Sequence, residues 1–92
     1  MTYKNFRNKL SELGLRILVI NDNQWSIGYP KIANPMLYFN PQLEEKDYMG
    51  SVQVKAINLR LFDANEIKSA LLLVDELLLT DKSKRGEIDI KF

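Results

Sequence analysis

The chain contains no cysteine and no histidine. Without cysteine, disulfides, thiolate chemistry and cysteine-ligated metal sites are excluded. Without histidine, it lacks the commonest general base near neutral pH and the commonest ligand for zinc, copper and iron. Its four glycines are isolated from one another, so no glycine-rich phosphate-binding loop is present. We therefore expect a protein that is not an enzyme, with no cofactor, no metal and no small-molecule substrate.

Long hydrophobic runs are also missing. The longest, Ala70–Val74, is far shorter than the ~20 residues that a membrane-spanning helix requires. The opening residues, MTYKNFRNKL, are polar and amphipathic and lack the apolar stretch of a signal peptide. These features predict a soluble, cytoplasmic protein that makes no contact with a membrane.

The composition is that of an ordinary globular domain. The chain has 92 residues, of which 46% are hydrophobic and 27% are charged, and its net charge is +1. This length predicts one α+β domain over residues 1–92, and the charge provides no bulk attraction to nucleic acid. A domain this small buries only roughly 60–65% of the surface of its unfolded chain, so dimerisation would be one way to add burial.

Two segments have the periodicity of amphipathic helices. The first begins at Thr2, a suitable N-cap, and ends at Gly14, which suits the left-handed conformation that follows many helices. The second is Asp63–Thr80, where Asp63 and Glu66 have the spacing of a capping box. We expect both helices to present one apolar face to the core.

Four segments between the helices have strand-like patterns. They are Leu15–Asn21, Gln24–Tyr29, Met36–Asn40 and residues 51–62. The first is apolar on both faces, which predicts either a central strand covered on both sides or a strand whose second face meets another subunit. In the last, the phase of the apolar residues changes at Ala56 and Ile57, which predicts a β-bulge or a strand break. The tail Ile88–Phe92 alternates and forms either an edge strand or a loose end.

Together these elements predict an α+β fold. The order is α-β-β-β-β-α, a two-layer sandwich in which an antiparallel meander packs on two helices, with a possible short C-terminal edge strand. Both helices on one face would leave the other face of the sheet solvated or engaged elsewhere. The acidic residues Glu44, Glu45 and Asp47 are expected in a solvated loop between strands rather than in a catalytic or metal site.

The second helix has more leucine than one buried face can accommodate. Its sheet-facing stripe is expected to contain Ile67, Ala70, Leu71, Val74 and Leu78, with Leu77 at the edge. Leu72 and Leu79 form a second ridge and Leu73 lies on a third side. These three leucines are the predicted interaction surface, for a homodimer or another protein. The alternative is that the first helix and the Ile88–Phe92 tail cover them.

One basic cluster follows the second helix. Lys82, Lys84 and Arg85 are possible contacts for nucleic acid, together with Arg60 or Lys55. The alternative is that these cations complement the negative end of the helix dipole.

The chain as a whole resembles a group of small phage and prophage proteins of Gram-positive bacteria. The resemblance consists of the opening MTYKNFRNKLSELG followed by a strand, several further strands, and a late leucine-rich helix before a charged end. The ending DKSKRGEIDIKF departs from the Pro-Ile-Glu-Glu-Arg type that is usual in the group. The resemblance implies an accessory or host-modulating role. We therefore expect a small, non-enzymatic protein–protein interaction protein, a homodimer, with nucleic-acid binding as the alternative.

Overall fold

In the computed structural model, which describes residues 1–44 and 52–87, one helix precedes a run of four strands and a second helix follows it. The elements are α1 (Tyr3–Glu12), β1 (Arg16–Asn21), β2 (Gln24–Gly28), β3 (Leu37–Phe39), β4 (Gln53–Val54) and α2 (Ala64–Leu79), with short 3-10 helices at Ala56–Leu61 and Lys82–Lys84. The predicted α+β class and the order α-β-β-β-β-α are confirmed. The tail Ile88–Phe92 and the acidic residues Glu45 and Asp47 lie outside the described residues.

The helix α1 begins and ends as its sequence predicts. The Thr2 hydroxyl accepts a hydrogen bond from the Asn5 amide at 3.1 Å, which satisfies one of the free N–H groups of the first turn. Gly14 follows the helix with φ +77°, a conformation that side chains rarely adopt. The face formed by Tyr3, Phe6 and Leu10 is buried.

The helix α2 begins with the predicted capping box. The Asp63 carboxylate accepts from the Glu66 amide at 2.8 Å, and the Glu66 carboxylate accepts from the Asp63 amide at 3.0 Å. The described residues buried on this helix are Ala70, Val74, Leu77 and Leu78. Leu77 therefore lies deeper than the edge position expected for it. Ile67 and Leu71 are partly buried against the same core.

The strands form an antiparallel meander in the order β1-β2-β3-β4. In its register Ile17 lies opposite Ile27, Trp25 opposite Phe39 and Ile27 opposite Leu37, so these five side chains share one face of the sheet. All five are buried in one cluster with residues of both helices. Both helices therefore pack on this inner face, as a two-layer sandwich requires.

Two aromatic contacts hold α1 against the sheet, and a third joins two strands beneath it. The Tyr3 ring meets the Trp25 ring edge-on at a centroid distance of 5.4 Å, and Phe6 meets Phe39 in the same way at 5.6 Å. Trp25 and Phe39, neighbours on adjacent strands, are 6.0 Å apart. Edge-to-face pairs of this kind contribute about 0.5–1.5 kcal/mol each beyond the area they bury.

The position of β1 corrects the expectation of a central strand covered on both sides. β1 is at the edge of the sheet, and Ile17 is its only buried residue. The physical reason is the meander, whose short connections place the first strand outermost, while both described helices pack on the inner face. The apolar residues of the outer face of β1 are consequently exposed.

The segment 51–62 is also different from the expectation of a long strand. Only Gln53–Val54 pairs with β3, and Ala56–Leu61 is a 3-10 helix. The last ladder bond runs from the Lys55 amide to the Met36 carbonyl, at 2.9 Å. The Met36 amide, which would donate the next bond of this ladder, donates instead to the Ile27 carbonyl of β2 at 2.7 Å, so the ladder ends there. The predicted interruption at Ala56 and Ile57 falls where this 3-10 helix begins.

Candidate protein-binding surfaces

The outer face of the sheet contains a groove between β1, the outer side of β3 and the loop after β2. Leu18, Ile20, Ile32 and Tyr38 contribute its larger apolar side chains, and its volume is about 350 Å³. Ser26 lies on this face but is buried, and its hydroxyl is 3.5 Å from the Leu18 carbonyl oxygen. The groove is therefore an apolar depression with a polar floor, on the side of the sheet opposite the helices.

The strand β1 has three exposed large apolar side chains, more than any other described element. Leu18 is 60% exposed, Ile20 is 48% exposed and Val19, between them, is 39% exposed. Arg16 precedes these residues and Asp22 follows them, and both are exposed. Within residues 1–44 and 52–87, β1 pairs with β2 alone, so its other edge has no strand partner there.

The leucines that the sequence singled out on α2 have two different environments. Leu72 and Leu79 are each 56% exposed, whereas Leu73 is partly buried against the core. A shallow groove of about 300 Å³ lies between α1 and α2. Its lining residues are Lys9, Glu12, Leu13, Ser69, Leu72, Leu73 and Glu76. The helix α1 therefore packs beside these leucines without covering Leu72. Leu72 and Leu79 remain candidates for contact with another protein.

Arg85 is a correction to the predicted nucleic-acid contacts. Its side chain is only 1% exposed. Nε donates to the Thr80 carbonyl at 2.9 Å, Nη2 to the Leu78 carbonyl at 2.9 Å and Nη1 to the Pro41 carbonyl at 3.1 Å. A guanidinium held in this way cannot reach a phosphate. Arg85 instead fits the alternative interpretation, in which a cation complements the negative, carbonyl end of α2.

Arg85 also joins parts of the chain that are distant in sequence. Its carbonyl accepts a hydrogen bond from the Tyr3 amide at 2.7 Å, and the Tyr3 hydroxyl donates to the same Pro41 carbonyl that Arg85 reaches, at 2.8 Å. The start of α1, the end of α2 and the turn after β3 meet at this residue. The sequence contained no signal for this role, because Lys82, Lys84 and Arg85 form one uniform basic tract.

The other predicted cationic contacts lie on separate elements. Lys82 and Lys84 are exposed in the 3-10 helix after α2, and Arg60 is exposed in the one before it. Lys55 follows β4, with its Nζ 5.2 Å from the centre of the Tyr38 ring. Of these exposed cations, only Lys82 and Lys84 therefore share an element.

Two titratable groups with shifted pKa values belong to local hydrogen bonds. Tyr29 donates to the Glu66 carboxylate, and this bond, with burial and the negative charge of Glu66, raises the pKa of Tyr29 to about 12. The Tyr29 ring stacks on Phe62 at 4.6 Å. The pKa of Asp81 is lowered because its carboxylate accepts hydrogen bonds from the Ser83 hydroxyl and amide. The Tyr29 bond joins the end of β2 to α2, whereas the Asp81 bonds cap the 3-10 helix Lys82–Lys84.

Neither a candidate group of metal ligands nor a candidate membrane-spanning helix is found among the described residues. No group of three or more acidic side chains there is arranged to hold a metal ion. None of its helices has the length and apolar character needed to cross a membrane.

Comparison of this chain with known protein families, with curated proteins and with solved structures gave no match. Its function is therefore inferred from its own residues.

Proposed function

We propose that the protein acts by binding protein rather than by catalysis, and that it is a homodimer. The observation that carries the proposal is the group of exposed aliphatic side chains around the outer groove, where Leu18 and Ile20 of β1 lie with Ile32. Isolated apolar residues on a surface are ordinary, but a contiguous apolar patch with a polar rim is typical of a contact site.

The energy available from such a patch is considerable. Burying one Leu, Ile or Val side chain completely contributes roughly 1.5–3 kcal/mol. The core does not need these residues, since Trp25, Ile27, Leu37 and Phe39 already fill the inner face of the sheet. The outer side chains of β1 are thus available to stabilise an association instead of the fold.

The ridge of Leu72 and Leu79 on α2 is a second, smaller surface. The two residues are seven positions apart, and Lys68 and Glu76 are exposed beside them. A short apolar ridge between charges suits contact with a different protein that complements it. We assign this ridge to a protein partner, in line with the interaction surface expected from the sequence.

The alternative of nucleic-acid binding has less support. Without Arg85 the basic tract contributes two exposed lysines, in a chain whose net charge is +1. Binding to nucleic acid normally depends on several cations that meet phosphates together. We expect no salt-dependent shift of generic DNA or RNA at low salt.

The resemblance to small phage and prophage proteins suggests the biological setting. We propose an accessory role in a phage or prophage for the homodimer. This part of the proposal depends on the sequence pattern alone.

Sedimentation velocity over a wide range of protein concentration tests the homodimer. We expect the weight-average mass to rise from that of one chain toward that of two. A chain that stays monomeric over the whole range would contradict the proposal.

A further inference from the structure

We infer that two copies of the chain pair through β1, antiparallel and about a two-fold axis, so that their sheets join into one. This inference rests on the proposed homodimer and names the surface that forms it. The four strands of each copy would then form a continuous eight-stranded sheet with both helix layers on the same side.

The two edges of the sheet are unequal, and this favours β1. The edge at β4 consists of Gln53 and Val54 only and is followed directly by a 3-10 helix. The edge at β1 is six residues long, contains no proline and is exposed at every residue except Ile17. An exposed apolar edge strand presents a row of backbone donors and acceptors on which another strand can pair.

The alternation of β1 selects the register. If two copies are related by a two-fold axis through the sheet, paired residues must lie on the same face. With Val19 on the axis, each Val19 faces its counterpart, and each Leu18 faces Ile20 of the second copy on the outer face. Such directly opposed aliphatic side chains have Cβ atoms about 4.5–5.5 Å apart and stabilise the pairing. Leu18, Val19 and Ile20 are exposed in the single chain, so the pairing buries apolar surface that the fold leaves exposed.

The charges at the two ends of β1 favour the same register. Arg16 begins the strand and Asp22 follows its last residue. An antiparallel arrangement with Val19 on the axis brings Arg16 of each copy beside Asp22 of the other. A register centred on Leu18 would place Arg16 opposite Ile20, and one centred on Ile20 would place Leu18 opposite Asp22. In both of these registers a charged side chain would face an apolar one, and the ion pair between Arg16 and Asp22 would be lost.

The irregularity in β1 is compatible with this pairing. The register against β2 shifts between Val19 and Asn21, beyond the residue on the axis. Ile20 still lines the outer groove with Leu18, so the outer-face alternation continues from Arg16 through Ile20. We expect the central pairs to be regular and the ends to be looser, where the long Arg16 side chain can still reach Asp22.

The leucines of α2 are less suited to a self-contact. Leu72 and Leu79 are roughly 10 Å apart along the helix axis, with no exposed backbone groups to set a register. We therefore assign the self-contact to β1 and leave the α2 ridge for the protein partner.

Two matched substitutions separate the surfaces. Leu18→Lys and Leu72→Lys each replace a leucine of nearly equal exposure, 60% and 56%. Because lysine would stand opposite Ile20 and near Arg16, we expect Leu18→Lys to weaken dimerisation about tenfold or more. Leu72→Lys should change it less than about twofold. Sedimentation measures both, and circular dichroism confirms that each variant is folded.

A charge exchange tests the register itself. Arg16→Asp alone places two carboxylates together and should weaken the dimer about tenfold, because the change occurs twice per dimer. The double variant Arg16→Asp with Asp22→Arg restores opposite charges and should recover affinity to within about threefold of the wild type. Should Leu18→Lys fail to fold, this pair of exposed substitutions still decides the question.

The outcomes distinguish the inference from the proposed function. A monomeric wild type overturns both the β1 pairing and the homodimer, whether the edge of β1 is empty or occupied by another segment of the chain. A dimer that survives Leu18→Lys and is lost in Leu72→Lys overturns the β1 pairing and leaves the homodimer standing. A dimer weakened by Leu18→Lys and by Arg16→Asp, and rescued in the double variant, supports both.

Discussion

The two faces of the sheet are built from the same strands, but the inner face is buried and the outer face has exposed apolar residues. On the inner face, Trp25, Ile27, Leu37 and Phe39 are buried under the two helices. On the outer face, no residues of the described ranges form a layer over Leu18 and Ile20, which are largely exposed. The inner face stabilises the fold, and the outer face contributes to the surface that we propose for binding. Apolar character alone does not distinguish the two faces, because both contain large aliphatic residues.

A leucine substitution on each face should separate these roles most strongly. Leu37 is completely buried, and Leu37→Ala should lower the free energy of unfolding by about 2–5 kcal/mol through lost burial and the cavity left behind. Leu18→Ala should change it by less than about 0.5 kcal/mol. Urea unfolding at low protein concentration, where dimerisation contributes least, measures both. Equal losses would mean that the outer face also supports the fold.

Arg85 tests how firmly the helix layer is attached to the inner face. Arg85→Met leaves the Leu78 and Thr80 carbonyls without their donor, while Pro41 keeps the Tyr3 hydroxyl. Buried acceptors left unpaired cost about 1–3 kcal/mol each, so we expect a loss on the order of 2–4 kcal/mol. The exposed neighbour provides the control, since Lys84→Met should change the free energy of unfolding by less than about 0.5 kcal/mol. If the two variants are equally stable, Arg85 is not a structural anchor.

Tyr29 provides a smaller, pH-dependent test of the contact between β2 and α2. Its hydrogen bond to Glu66 raises its pKa in the folded chain to about 12, from 10.0. The contribution to stability is therefore fully present below pH 10 and is lost as the pH rises through about 12. The stability difference between wild type and Tyr29→Phe should be constant at lower pH and shrink over that interval. A difference that does not depend on pH would contradict the hydrogen bond as its source.

The elements that the sequence predicted well are those decided by local chemistry. Thr2 and Gly14 delimit α1 through short-range hydrogen bonding and backbone conformation, and Asp63 with Glu66 begins α2 in the same way. The period of apolar residues also identified the inner stripe of α2. Such signals depend on residues a few positions apart, so a single sequence contains them in full.

The parts that could not be predicted depend on distant residues. Whether β1 is central or at an edge is decided by the order in which the strands pair along the whole sheet. The end of β4 follows from the Met36 amide, next to the neighbouring strand, which donates to the Ile27 carbonyl of β2 and not to β4. Arg85 is buried because α1, α2 and the turn at Pro41 converge on it, although Lys82 and Lys84 beside it are exposed. Residues of one type in one tract can therefore have opposite environments.

The central claim is that the exposed edge of β1 is where a second copy binds. Amide hydrogen exchange of β1, measured at low and high protein concentration, tests it most directly. Pairing of two copies would protect those β1 amides that point away from β2, so their protection should rise with concentration while that of β2 and β3 stays constant. Exchange of the β1 amides that is the same at all concentrations, whether fast or slow, would contradict the claim.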